Sequence, residues 1–258
     1  MNMKIALCLS GQPRFVREVS PYIIENLCKG YDVDVFFHLW FDEELQTKPY
    51  KYGGSGEWEN QRISSNAIED ALEIYNPKLY KVEKSKSFKD STMKADYCYY
   101  PNGELVQWSK HWKESDEPNY IPRMINNWMS YHYGLNQVNV LRKEYEYAND
   151  FKYDWIVKCR TDSVVQQKIK YENYNSEVVN YSGWLNQPDG MINDYLNFGG
   201  PKAMDPFMST FCFIDHLLEK CNEEFGGSWS NEMLHRKALD IFNVSHQAHP
   251  FIVSLPRF

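Results

Sequence analysis

The sequence predicts an α/β domain with a central, mostly parallel sheet flanked by helices. Three observations predict it. Continuous apolar runs over 4–9, 32–39 and 153–159 have the length and composition of strands covered on both faces. Each run stops at a short polar turn. Helical spacing separates the first two runs, so strand, helix and strand fit within about forty residues, as a right-handed βαβ unit requires.

The elements follow in order. Strand 4–9 ends at Ser10-Gly11-Gln12-Pro13. Phe15, Val19, Tyr22, Ile23 and Leu27 then recur at helical intervals, and Lys29-Gly30 closes that helix. After strand 32–39, residues 40–60 read as loop, with Gly53-Gly54-Ser55-Gly56 as a flexible point. A helix is expected over 64–75, with Ala67, Ile68, Ala71, Leu72 and Tyr75 on one face, and a short strand over 77–82. From 83 to 122 no period is legible, and a stretch of that length reads as a functional lid or a substrate-facing insertion.

Met124, Trp128, Tyr131, Leu135, Val138, Leu141 and Tyr145 give the clearest helical period in the chain. That helix leads into strand 153–159 and directly to Arg160-Thr161-Asp162-Ser163. A polar, β-rich stretch to Gly190 is expected next. Met204, Phe207, Met208, Phe211, Ile214, Leu218 and Cys221 predict one long amphipathic helix. A glycine-rich turn then opens a short helix carrying Glu232, and the extended end holds His246 and His249. No repeat, low-complexity tract or linker interrupts the pattern, so 1–258 reads as one domain.

Composition narrows the function classes. The chain is 43% apolar and 24% charged, which excludes wholesale disorder. Its net charge is −7 and its 28 Lys and Arg are scattered, which argues against nucleic acid as a partner. A bound nucleoside diphosphate remains compatible with net acidity if a divalent cation neutralises the phosphates. The six cysteines form no C-x-x-C pair and read as reduced thiols in a cytoplasmic protein. No run approaches the ~18 apolar residues of a membrane span, and the first ten residues are too short for a signal peptide's apolar segment. The expectation is a soluble chain, with at most peripheral membrane association. The 19 Tyr and 8 Trp suit the faces of carbohydrate rings, although cores are often as aromatic.

In an open α/β sheet, ligands bind beyond the carboxyl ends of the strands. Three such ends carry polar residues. At the first, Gly11 lets backbone approach a ligand, Ser10 and Gln12 can hydrogen-bond a base or ribose, and Arg14 can reach a phosphate. The bland reading is a plain strand-to-helix turn. At the second, Trp40 or Phe41 can stack on a nucleobase and Asp42 can accept from a ribose hydroxyl, although an Asp there is more often a helix or turn cap. At the third, Asp162 is a carboxylate at the sheet edge, fit to coordinate Mg²⁺ or Mn²⁺ together with substrate phosphates. Arg160 shares its face and can hold a phosphate or orient Asp162. The alternative there is a structural Arg–Asp pair.

Residues 4–14, 34–40 and 153–162, taken together and in order, resemble a group of bacterial and viral polysaccharide-biosynthesis proteins that look like GT-A-fold glycosyltransferases. The resemblance covers the first forty residues and about 120–165. It implies a GT-A-like, Rossmann-type domain, with a nucleotide-sugar-binding half over 1–165 and an acceptor-binding half over 166–258. It further implies a nucleotide-sugar donor, a glycan acceptor, and Mn²⁺ or Mg²⁺ at an Asp-x-Asp-like element. Asp162 matches the last Asp of that element, while position 160 is Arg where the usual pattern has Asp. The ion would then be held by Asp162, phosphates, water and a His such as His246 or His249; metal-independent binding, with Arg160 as the cation, is the alternative. Glu232, near a helix start behind a candidate Ser230 cap, is the expected catalytic base, and Asp194 the second choice and an acceptor binder. Two rival readings share the scaffold: a sugar nucleotidyltransferase, disfavoured by the short, glycine-poor first turn, and a non-catalytic carbohydrate-binding protein.

Overall fold

A computed structural model describes residues 3–42, 62–88, 120–183, 191–225 and 230–256, with side chains of the long central helix described from 126 onward. The glycine-rich point at 53–56, most of the aperiodic stretch, the end of the polar stretch before Gly190 and the turn at 226–229 lie outside the described residues.

Apolar side chains on both faces of the first strand force a three-layer arrangement. In β1 (Lys4–Gly11), Ile5, Leu7 and Leu9 point to one side, and Ala6 and Cys8 to the other. The first set packs against α1 (Val16–Ile23), extended by a π-turn over Ile24–Cys28, and against α2 (Ala67–Tyr75). The second set meets Leu135 and Val138 of α3 (Tyr120–Ala148). β1 lies parallel to β2 (Asp32–Trp40) and to β4 (Trp155–Arg160), and β2 lies parallel to β3 (Leu79–Glu83). The expected opening βαβ unit is present.

The sheet continues through β7 (Leu196–Gly199), β6 (Val179–Ser182) and β8 (His246–His249), giving the order β3-β2-β1-β4-β7-β6-β8. β7 runs antiparallel to both neighbours, and β8 is parallel to β6, so one reversed strand sits in an otherwise parallel sheet. Reversal puts the start of β7 beside the end of β4, with Cys159 opposite Leu196. Gly199 allows the close approach at the other end of β7, because a Cβ there would lie 2.5 Å from the Val178 carbonyl. Two short strands, β5 (Val164–Val165) and β9 (Val253–Ser254), pair separately and bring the chain's end back beside the segment that follows Asp162.

The single long helix expected over 204–221 is broken. α4 (Pro201–Met208) ends at Ser209, a 3₁₀ turn spans Thr210–Phe213, and α5 (Ile214–Phe225) restarts. The Ser209 N–H still closes on the Asp205 carbonyl, but the Thr210 hydroxyl donates to the Phe207 carbonyl at 2.6 Å, taking an acceptor the helix would use. α6 (Asn231–Ile241) completes the layer.

Charge as well as apolar packing fastens α3 to the sheet. Arg142 is fully buried and forms ion pairs with Glu146 at 2.8 Å and Asp205 at 2.5 Å. It also donates to the Asn139 side chain at 2.8 Å. Glu146 in turn accepts from the Tyr153 backbone N–H at 3.1 Å, just before β4. The network therefore sets how α3 and α4 sit against the strand that carries Arg160. Arg142→Met should leave Glu146 without its buried partner and lower unfolding free energy by roughly 3–5 kcal/mol. Urea denaturation of wild type, R142M and R142M/E146Q checks this, with the double variant expected to recover part of the loss.

Candidate functional site

The carboxyl edge of β1 and β4 gathers charge from both halves of the chain. Gly11 ends β1 at φ 129°, a conformation that only glycine adopts without strain, and turns the chain toward α1. Gln12 then does two things. Its carbonyl accepts from the Thr161 hydroxyl at 2.5 Å, tying the turn to β4, and its side-chain oxygen accepts from Arg14 Nε at 3.0 Å. Arg14 is thereby aimed across the edge, with Nη1 3.8 Å from Asp162 Oδ2. Ser10 is buried within β1, opposite His38 and Arg160 in the sheet register.

Arg160 is the hub. Its Nε donates to Asp162 Oδ1 at 2.8 Å and its Nη2 to Oδ2 at 3.0 Å, a side-on fork. On its other side Nη1 stands 3.7 Å from Asp194 Oδ2, an ion pair too long for a hydrogen bond. The Tyr195 ring lies 5.0 Å from the guanidinium carbon. Asp162 is only 3% exposed, while the Arg160 side chain keeps 20%. Burial alone would push the Asp162 carboxyl up; the guanidinium of Arg160, with help from Arg14, outweighs it and holds the group below its ordinary value.

Asp194 and Glu232 come from the second half. The reversed entry into β7 delivers Asp194, whose carbonyl accepts from Lys158, a fully buried lysine in the middle of β4. Ser230 caps α6 by accepting from the Met233 N–H at 3.4 Å, as the sequence suggests, and the Ile192 N–H reaches the Glu232 carbonyl at 3.4 Å. That contact links the start of α6 to the Asp194 segment. The Glu232 carboxyl is raised above its ordinary value, first by burial and then by the negative charge of Asp194, against opposing pulls from Ser230 and Arg160.

The remaining expected ligands lie elsewhere. Trp40 is 5% exposed, donates to the Ser130 carbonyl at 3.3 Å and packs on His38 and Tyr133, so it is a core ring rather than an open stacking surface. Asp42 accepts from the Ser85 N–H at 3.1 Å and holds the strand ends of β2 and β3 together. His246 and His249 sit on edge strand β8, three positions from β4 in the sheet order, about 14 Å at the usual strand spacing. His249 Nε2 is bonded to Asn180 at 2.8 Å, and His246 packs on Tyr181. The structure therefore does not bring either histidine to Asp162. An apolar cavity of about 10 Å³, the space of a single water, lies behind Thr161 between Leu9, Phe37 and Tyr75.

The donor set does not fit the divalent ion that the resemblance implies. Both Asp162 oxygens carry the Arg160 fork, and the guanidinium stands between Asp162 and Asp194 where an ion shared by the two would sit. Among the described residues no group of three or more His, Cys, Asp or Glu converges. No protein-family model matches this chain, and no curated protein matches it either.

Sequence reasoning missed Lys158 and Glu83. The first had a signal, a lone lysine inside an apolar strand; its burial beside Arg160 pulls the ammonium down to about 8, with Asp194 opposing. Glu83, at the end of β3, binds Lys86 at 2.5 Å, Lys81 at 3.2 Å and the buried, neutral His38 at 2.8 Å. Burial would raise the Glu83 carboxyl, but hydrogen bonds from Lys86, His38 and Lys81 prevail and hold it at about 2. A depressed carboxyl contributes stability above its unfolded value of 4.5, which is lost as pH falls toward 2. Denaturant midpoints measured from pH 6 to 3 should fall more steeply for wild type than for Glu83→Gln. Lys158 has the same sign in a higher window: its folded value also lies below the unfolded 10.5, so wild type should gain stability relative to Lys158→Met as pH rises from about 8 to 10.5.

Proposed function

We propose that the chain is a GT-A-like glycosyltransferase that moves a sugar from a nucleotide-sugar donor to a glycan acceptor. One observation carries the reading. Arg160 of the first half stands 3.7 Å from Asp194 of the second, Glu232 feels the charge of both, and Arg14 joins them through Asp162, at the sheet edge where α/β folds bind ligands. The architecture supports its coarser part, because a mostly parallel sheet flanked by helices is the Rossmann-type frame that the reading needs. In this reading 1–165 binds the donor and 166–258 the acceptor.

Glu232 removes the proton from an acceptor hydroxyl. The oxygen then attacks the anomeric carbon as that carbon's bond to the diphosphate oxygen breaks, and the nucleoside diphosphate leaves with the electron pair. A carboxyl raised by burial is a better base than an ordinary one, and cationic groups at the phosphate compensate the charge that develops there. Asp194, beside the base, takes an acceptor hydroxyl. The reading goes with polysaccharide biosynthesis in the cytoplasm or at a membrane's inner surface; among the described residues no helix is long and apolar enough to cross a membrane.

The test is release of nucleotide from a panel of UDP-, GDP-, CMP- and dTDP-sugars, with and without candidate glycans. Glu232→Gln should lower kcat by roughly 10²–10⁴ with donor affinity little changed. The acid limb of the wild-type kcat/KM profile should lie above the ordinary glutamate value of 4.5 and vanish in the variant. Glycan binding with neither nucleotide affinity nor product from any donor would instead identify a carbohydrate-binding protein.

A further inference from the structure

We infer that Arg160 is a built-in cation: the site grips the donor's pyrophosphate with guanidinium groups and needs no divalent ion. This rests on the proposed donor chemistry but makes a separate claim about how charge is compensated.

A divalent ion chelated by both Asp162 oxygens, at about 2.0–2.6 Å, would have to displace the guanidinium from them. It would thereby break two charge-assisted hydrogen bonds, at 2.8 and 3.0 Å, on a carboxylate that is 3% exposed. The same guanidinium separates Asp162 from Asp194, so the two carboxylates cannot share an ion while it stays. Asp162 acts instead as a positioning residue. It occupies Nε and one edge of Nη2, leaving Nη1, which makes no hydrogen bond to Asp194 at 3.7 Å, to turn toward an anion. The ring of Tyr195 backs the guanidinium at 5.0 Å. Arg14, held by Gln12, is the second guanidinium, 3.8 Å from the same carboxylate. Planar forks of this kind match phosphate oxygens in pairs, which a lysine does not.

The experiment is calorimetry on the full chain stripped with EDTA, using inorganic pyrophosphate and the UDP, GDP, CDP and dTDP series as probes, with and without Mn²⁺. Wild type is expected to bind pyrophosphate and one diphosphate in EDTA with affinity within about threefold of that in Mn²⁺. Arg160→Met should weaken binding at least about tenfold, and Arg160→Lys, which keeps the charge and loses the fork, should not restore it. Affinity that appears only with Mn²⁺, or is unmoved in R160M, overturns the inference while leaving sugar transfer standing. Arg160-dependent binding in EDTA without turnover of any nucleotide sugar leaves the anion site standing and removes the transferase reading. If no probe binds wild type under either condition, both fall. The wild-type comparison decides even if a variant fails to fold.

Discussion

The guanidinium of Arg160 joins parts of the chain that folding alone would leave separate. It hangs from the last residue of β4 and is shared between Asp162, two residues on, and Asp194, on the segment entering the reversed strand. Such a charge is stable at a sheet edge only when it is paired on several sides, because an unpaired buried ion is costly. Its partners are therefore constraints on the fold as much as on the site. Asp162 must stay ionised, Tyr195 must stack, and β7 must run backwards to deliver Asp194.

Layers of support stand behind that edge. Thr161 binds the β1 turn through the Gln12 carbonyl, so the positions of Arg14 and Arg160 are set together. Lys158 fixes the Asp194 carbonyl from beneath, and its ammonium faces the ring of Tyr131 at 4.9 Å. The Tyr131 hydroxyl is hydrogen-bonded to His235 of α6 at 2.8 Å, and burial keeps that histidine neutral. α3 thus connects β4 to the helix that carries Glu232, and the Arg142–Glu146 pair fastens α3 itself. A displacement of α3 would reach both halves of the site at once.

How much of this the sequence reveals depends on whether the signal is local. β1, β2 and β4 are legible because strands covered on both faces read as unbroken apolar runs, and α3 because its period is sustained. Asp162 and Arg160 stand out by directly following such a run. β7 is only four residues long and buried throughout, so neither alternation nor length marks it, and its reversed direction has no local sign. The break after Met208 was within reach, since Pro206, Ser209 and Thr210 stand together against an otherwise convincing helical period. The histidines near the end resist such reading for another reason. Whether His246 and His249 meet Asp162 is decided by sheet order, which places β7 and β6 between them. Trp40 likewise reads as an open ring until α3 packs over it. Glu83 is invisible because its partners, His38, Lys81 and Lys86, are assembled by strand pairing and a turn.

What the Arg160 guanidinium does when an anion arrives decides between the two roles of this edge. A crystal structure of the full chain with a nucleoside diphosphate and Mn²⁺ both present measures this directly. The expected result is a phosphate oxygen against Arg160 Nη1, with the fork to Asp162 intact. A manganese ion on the Asp162 oxygens with Arg160 swung aside, or a nucleotide bound away from this edge, would contradict it.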